Sequence, residues 1–156
     1  DISDLYYWLD NKHEINKLRT EKISKIASKI SKFKYVRKSL IQVQRSFANN
    51  PPGGIGSVID GRDIGTVIVP LAEVKFFVNA EVEIRAQRRI EQLKLDESQY
   101  RTILKNIKIR DYKDSHRKLS PLKQADDSFF IDTTHLTQNE VLKLALNFIR
   151  KKTDFI

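Results

Sequence analysis

The chain has 156 residues, 40% of them hydrophobic, and no apolar run near the ~20 residues needed to span a bilayer, so it reads as one soluble globular domain with a real core. The net charge of +9 and pI near 9.7 call for an anionic partner: nucleic acid, membrane phosphate or a nucleotide. Cysteine is absent, which excludes disulfides and thiolate metal sites and matches a reducing cytoplasm.

Asp1 to Lys17 is polar with an aromatic cluster, Tyr6, Tyr7 and Trp8. The first residues do not resemble a signal peptide. Methionine is absent as well, so the expectation is that Asp1 is not the natural start. From Arg19, residues Ile23, Ile26, Ala27, Ile30 and Phe33 follow helical spacing, with lysines on the other face. A second helix carries Val36, Leu40, Val43 and Phe47 and stops at Asn49-Asn50-Pro51-Pro52-Gly53-Gly54.

Ser57–Ile59 reads as a strand end, followed by the turn Asp60-Gly61-Arg62-Asp63-Ile64-Gly65 and an extended piece Thr66–Val69 closed by Pro70. Ligands bind at the carboxyl ends of strands in open α/β sheets, and this turn offers carboxylates for metal or amino groups and a guanidinium for phosphate. A plain charged turn fits the same spacing. Val74–Val78 reads as a parallel strand covered on both faces. Asn79 is expected to cap a helix ending near Leu93 that carries Arg85, Arg88 and Arg89.

The next helix is expected from Asp96 to about Arg117, with Tyr100, Ile103, Leu104 and Ile107 as its apolar stripe. That stripe then turns charged: Arg110, Asp114 and Arg117 fall within roughly 60° of one another at 100° per residue. Buried charge is costly, so such a face either pairs internally or meets a polar ligand. Ser128–Asp132 reads as a strand. Thr137-Gln138-Asn139-Glu140 is a capping box opening a last helix with core face Val141, Leu144, Ala145 and Phe148. The pattern predicts a three-layer α/β domain with a parallel sheet behind a helical hairpin. The histidines His13, His116 and His135 lack metal-ligand spacing and receive no role.

From Leu18 almost to its end the chain resembles the bacterial-type cytidylate kinases. The resemblance rests on Leu18-Arg19-Thr20-Glu21, Val36-Arg37 and Gln44-Arg45-Ser46-Phe47-Ala48. It continues through Asp60-Gly61-Arg62-Asp63-Ile64-Gly65-Thr66-Val67, Arg85-Ala86-Gln87-Arg88-Arg89, Arg110-Asp111, Asp114, Arg117, Pro121-Leu122 and Asp132. It implies an α/β, three-layer parallel-sheet P-loop kinase fold, incomplete at the N-terminus. Residues 1–54 would form a helical nucleoside-monophosphate-binding part, and 55–156 the α/β core with a short lid around 86–112.

The implied reaction is phosphoryl transfer from ATP, with Mg²⁺, to CMP or dCMP. Ser28, Arg37 and Asp63 would contact cytosine, Arg62 and Arg117 the CMP phosphate, and Arg110 and Asp114 the ribose hydroxyls. Asp60 joins Arg62 and Arg117 in the catalytic set. At least one of Arg85, Arg88 and Arg89 would meet the ATP phosphates. No protein-held metal, nucleic acid or membrane is implied, and the complete protein is expected to be a cytoplasmic monomer.

Two departures are peripheral: Leu71 stands where the family has Asp, and Ile109 where it has Glu. The larger one is the family's glycine-rich phosphate loop, which no segment matches: all five glycines lie between Gly53 and Gly65. The expectation is that an N-terminal third is missing and that the chain alone turns over poorly. The alternative to an enzyme module is a non-catalytic remnant that binds nucleotide or a partner. A nucleic-acid-binding role rests on charge alone, because the aromatics are not interleaved with basic residues.

Overall fold

The computed structural model describes residues 20–51 and 54–153; the aromatic cluster Tyr6–Trp8 and the pair Leu18-Arg19 lie outside them. The chain divides into two compact units, Asp1–Ile59 and Asp60–Ile156.

The first unit holds helices α1 (Glu21–Ile30) and α2 (Lys34–Asn49). Thr20 caps α1, its side chain accepting from the Ile23 amide, as a hydroxyl at that position does for an orphan N–H. The predicted stop after Phe47 falls where α2 ends, at Asn49. The predicted strand Ser57–Ile59 is not one. A strand needs a ladder partner, none of the described residues supplies it, and Val58 is 99% exposed.

The second unit contains a two-stranded parallel sheet, β1 (Phe76–Asn79) and β2 (Phe129–Asp132), paired Phe76 to Phe129 through Asn79 to Asp132. Parallel strands need a crossover, and α3 (Val82–Leu93) and α4 (Tyr100–Ser115) provide it. This is the expected α/β class. β1 starts two residues later and ends one later than read from hydropathy, because the register with Phe129–Asp132 sets its limits. Asn79 therefore belongs to the ladder, and Glu81 is the residue at the start of α3. The strand is also less covered than expected: Val78 is 57% exposed.

α3 and α4 bury Ala86, Ile90 and Ile103 between them, with Leu95, Tyr100, Leu104 and Ile107 packed around. The apolar stripe predicted for α4 is this contact. Lys94, in the left-handed region (φ 51°), ends α3 and turns the chain toward α4. Asp96 caps a single tight turn, Glu97–Gln99, rather than α4 itself. The last helix, α5 (Gln138–Lys152), opens with the capping box read from sequence: Thr137 and Glu140 satisfy one another's backbone amides. Phe148 of α5 stacks on Phe129 at 4.4 Å and meets Phe76 edge-on at 5.6 Å, fixing the helix to one sheet face. Leu144, expected on that face, is 41% exposed.

Candidate functional site

The charged turn of residues 60–63 leads into one π-helical turn, Ile64–Ile68, where an extended piece was expected. The Asp63 carbonyl accepts from both the Val67 and Ile68 amides (2.9 and 3.2 Å), and the Ile64 carbonyl from Val69 at 2.8 Å. This wider ring winds the chain tightly and sinks Ile68 into the core, 2% exposed. Single π turns recur at functional sites because they re-aim side chains that a regular element would point elsewhere. Lys75 lies beneath: a Cβ added to Gly65 would stand 3.2 Å from Lys75 Cδ. The Lys75 ammonium is held by the Pro70 carbonyl and the Asp127 carboxylate, both at 2.6 Å.

The buried Asp63 carboxylate faces the carboxyl end of α4, and there the predicted charged face is assembled. Asp114, 6% exposed, is its centre. Its Oδ2 accepts from Arg62 Nε at 2.9 Å and lies 3.7 Å from Arg110 Nε. Its Oδ1 lies 4.0 Å from Arg117 Nη1, while Arg117 Nη2 lies 3.8 Å from Asp63 Oδ1.

Arg117 does not continue the helix as predicted. α4 ends at Ser115, and the chain folds back through Ser120 in the left-handed region (φ 48°), with the Leu122 amide donating to the Asp114 carbonyl at 2.7 Å. Arg117 reaches the cluster from this fold-back, its Nε donating to the Ser120 carbonyl.

Three guanidiniums against two carboxylates leave the cluster with one net positive charge. Arg62 and Arg110 are 41% and 46% exposed, so their outer nitrogens stay open to a ligand. Arg117 Nη2 is buried with no hydrogen-bond partner among the described residues; its contact with Asp63 is too long for one. A buried donor without an acceptor, in a net-positive group, fits an anionic oxygen.

The remaining predicted residues lie elsewhere. Arg85 donates from Nε to the Ala80 carbonyl at the end of β1 and from Nη1 to Asp111 at 2.6 Å. Arg88 binds the Thr133 hydroxyl and the Thr133 and Leu136 carbonyls just beyond β2. Arg89 meets Gln92 at 3.0 Å. Asp60 is exposed in the turn. Ser28 on α1 and Arg37 on α2, both half-buried, belong to the first unit, the Ser28 carbonyl accepting from the Ser31 hydroxyl.

Sequence reasoning missed the polar hub after β2. There Thr133 donates to the Asn79 carbonyl, and Thr134 accepts from the Glu81 amide and donates to Asp132. The Thr134 hydroxyl, and then its amide, hold the Asp132 carboxyl below its usual range. The readable signal was an acid followed by two hydroxyl residues at a strand end.

A net-positive arginine–carboxylate cluster on a parallel α/β scaffold is what these features define. The family model for cytidylate kinase matches residues 2–151, and the chain belongs to that family. It is 40% identical to the cytidylate kinase of Actinobacillus succinogenes over 96% of this chain and 66% of the relative. It is 43% identical to cytidylate kinase 1 of Haemophilus influenzae over 86% of this chain and 57% of the relative. With the cytidylate kinase of Fusobacterium nucleatum it shares 42% identity over 99% of this chain and 68% of the relative. The chain thus spans about two thirds or less of the length of the curated relatives it matches.

Proposed function

We propose that this chain forms the acceptor side of a cytidylate kinase, which transfers the γ-phosphoryl group of ATP to CMP or dCMP. The observation that carries the reading is the buried Asp114 carboxylate gathering Arg62, Arg110 and Arg117 around one point, with Asp63 at its inner edge.

Arg62 and Arg117 hold the CMP phosphate, with Asp60 completing the catalytic set in the adjoining turn. Arg110 and Asp114 reach the ribose hydroxyls. Asp63 accepts from the cytosine amino group, and Ser28 and Arg37 donate to the ring carbonyl and nitrogen. At least one of Arg85, Arg88 and Arg89 meets the ATP phosphates.

Phosphoryl transfer asks the protein for alignment and charge stabilisation rather than covalent chemistry. Guanidiniums prepaired with Asp114 already point at the acceptor position, so little reorganisation is needed when phosphate arrives. Mg²⁺ accompanies ATP and, when bound, neutralises its β- and γ-phosphates. The described residues contain no group of three or more His, Asp or Glu side chains placed to hold a metal. No helix among the described residues is long and apolar enough to cross a membrane. A cytoplasmic monomer, with neither nucleic acid nor membrane as partner, completes the proposal.

Calorimetric titration of the chain with CMP, dCMP, UMP and AMP tests it. CMP and dCMP should bind, and Asp63→Ala or Arg37→Ala should weaken them at least about tenfold, the worth of one hydrogen bond to a charged group. A chain indifferent to CMP, or unchanged affinity in both variants, would refute the reading. CMP-dependent ADP release tests the transfer itself.

A further inference from the structure

The apolar contact between α3 and α4 ends before the candidate site begins. Ala86, Ile90 and Ile103 are its centre and Ile107 its last member on α4. Beyond Ile107 the helix offers little to pack: Ile109 and Tyr112 are 41% and 64% exposed. Yet Arg110 and Asp114 lie on this second half, and Arg117 follows it.

Two ion pairs take over from the apolar contact. Lys108 meets Glu83 at 3.2 Å with both side chains more than half exposed, a pairing that water and salt largely screen. Arg85 meets Asp111 at 2.6 Å with both side chains about one third exposed. Arg85 also donates from Nε to the carbonyl of Ala80, a residue 4% exposed where β1 ends. One rigid guanidinium therefore links the carboxyl end of the sheet to α4, at the residue after Arg110 and one helical turn before Asp114.

We infer that the Arg85–Asp111 pair is a positioning clamp that holds the second half of α4, and with it Arg110, Asp114 and Arg117, in register for the nucleotide. The inference rests on the proposed function for its ligand but not for its geometry. Arg85 serves the acceptor side here through structure, leaving Arg88 and Arg89 as the α3 arginines for donor phosphates. Lysine should replace it poorly, since its single nitrogen does not supply the two separately placed donors, Nε and Nη1, that Arg85 sets against Ala80 and Asp111.

The test uses the full chain, with Arg85→Gln, Arg85→Lys and Asp111→Asn beside two controls, Lys108→Gln and Ile90→Val. CMP affinity should fall about tenfold in the three clamp variants, within the range of coupling expected for residues sharing a network. Arg85→Gln combined with Asp111→Asn should be no worse than the weaker single. Lys108→Gln should stay within about twofold of the parent. Ile90→Val lowers the melting temperature through the core without touching the clamp, so its affinity should hold.

A readout independent of CMP is the arginine Nε–H resonance of Arg62, which donates to Asp114 in the parent. It should shift and broaden in the clamp variants but not in the controls. Clamp variants with parental CMP affinity and an unmoved Arg62 signal would overturn the inference. A parent that binds no CMP would overturn the proposed function instead, and the Arg62 signal would then decide the clamp alone.

Discussion

Replacing Asp114 by Asn removes one charge and almost no volume, so it isolates what the shared carboxylate does. In the parent it faces Arg62 at 2.9 Å, Arg110 at 3.7 Å and Arg117 at 4.0 Å. Arg62 and Arg110 are more than one third exposed and regain water when the charge is lost. Arg117 is 12% exposed and, among the described residues, keeps Asp63 and the Ser120 carbonyl. Breaking a fully buried pair costs about 3–5 kcal/mol; with two of three partners rehydrated, a loss of about 2 kcal/mol is expected.

For a chain of 156 residues, that loss corresponds to a fall of roughly 4–8 °C in melting temperature. The same change raises the net charge of the cluster from one to two, so anions should stabilise the variant more than the parent. Inorganic phosphate at ten times its Kd would restore about 1.4 kcal/mol by mass action, beyond any effect of chloride at equal ionic strength. Thermal unfolding with matched phosphate and chloride reads both effects. A variant that melts with the parent would refute the assignment of Asp114 as the organiser of the arginines, and one that gains no more from phosphate than the parent does would refute the net-charge argument.

Two further outcomes follow from geometry outside the cluster. Gly65→Ala places a methyl 3.2 Å from a Lys75 stem whose ammonium is pinned at both ends, so it should cost about 1–3 kcal/mol in chemical denaturation; a variant as stable as the parent would show that the turn moves freely. Lys75 holds Asp127, and the Thr137 amide and hydroxyl hold Glu140, below their usual carboxyl ranges. Their folded pKa values lie under the unfolded ones, so the stabilisation is complete above about pH 5 and fades as acid protonates them through the lowered folded values. Melting temperature should therefore fall from pH 5 toward pH 3, with a shallower fall in Glu140→Gln; equal slopes would count against the cap as a source of the acid sensitivity.

What was legible in the sequence depended on how locally each feature is encoded. The capping box at Thr137 and the apolar stripe from Tyr100 to Ile107 lie within one or two helical turns, and both appear where expected. The limits of β1 did not, because they follow from pairing with a strand more than fifty residues away. The π turn at Ile64 was invisible to hydropathy, since a bond spanning five residues leaves no periodic mark in so short a piece. Helical spacing foresaw that Arg110, Asp114 and Arg117 would meet, although Arg117 arrives by a fold-back rather than along the helix. Arg85 and Arg88 were legible as cations but not as bridges, because their partners stand 26 and 45 residues away.

The two halves of α4 divide labour along one element. Substitutions among Ile103, Leu104 and Ile107 act on how firmly the helix is seated, while those from Arg110 onward act on what it presents. An element arranged in this way can drift in thermal tolerance without altering its chemistry, and can be retuned toward a different anion without being unseated. In a library of variants, changes up to Ile107 should therefore move melting temperature and leave ligand affinity, whereas changes from Arg110 onward should move affinity, the buried Asp114 moving both.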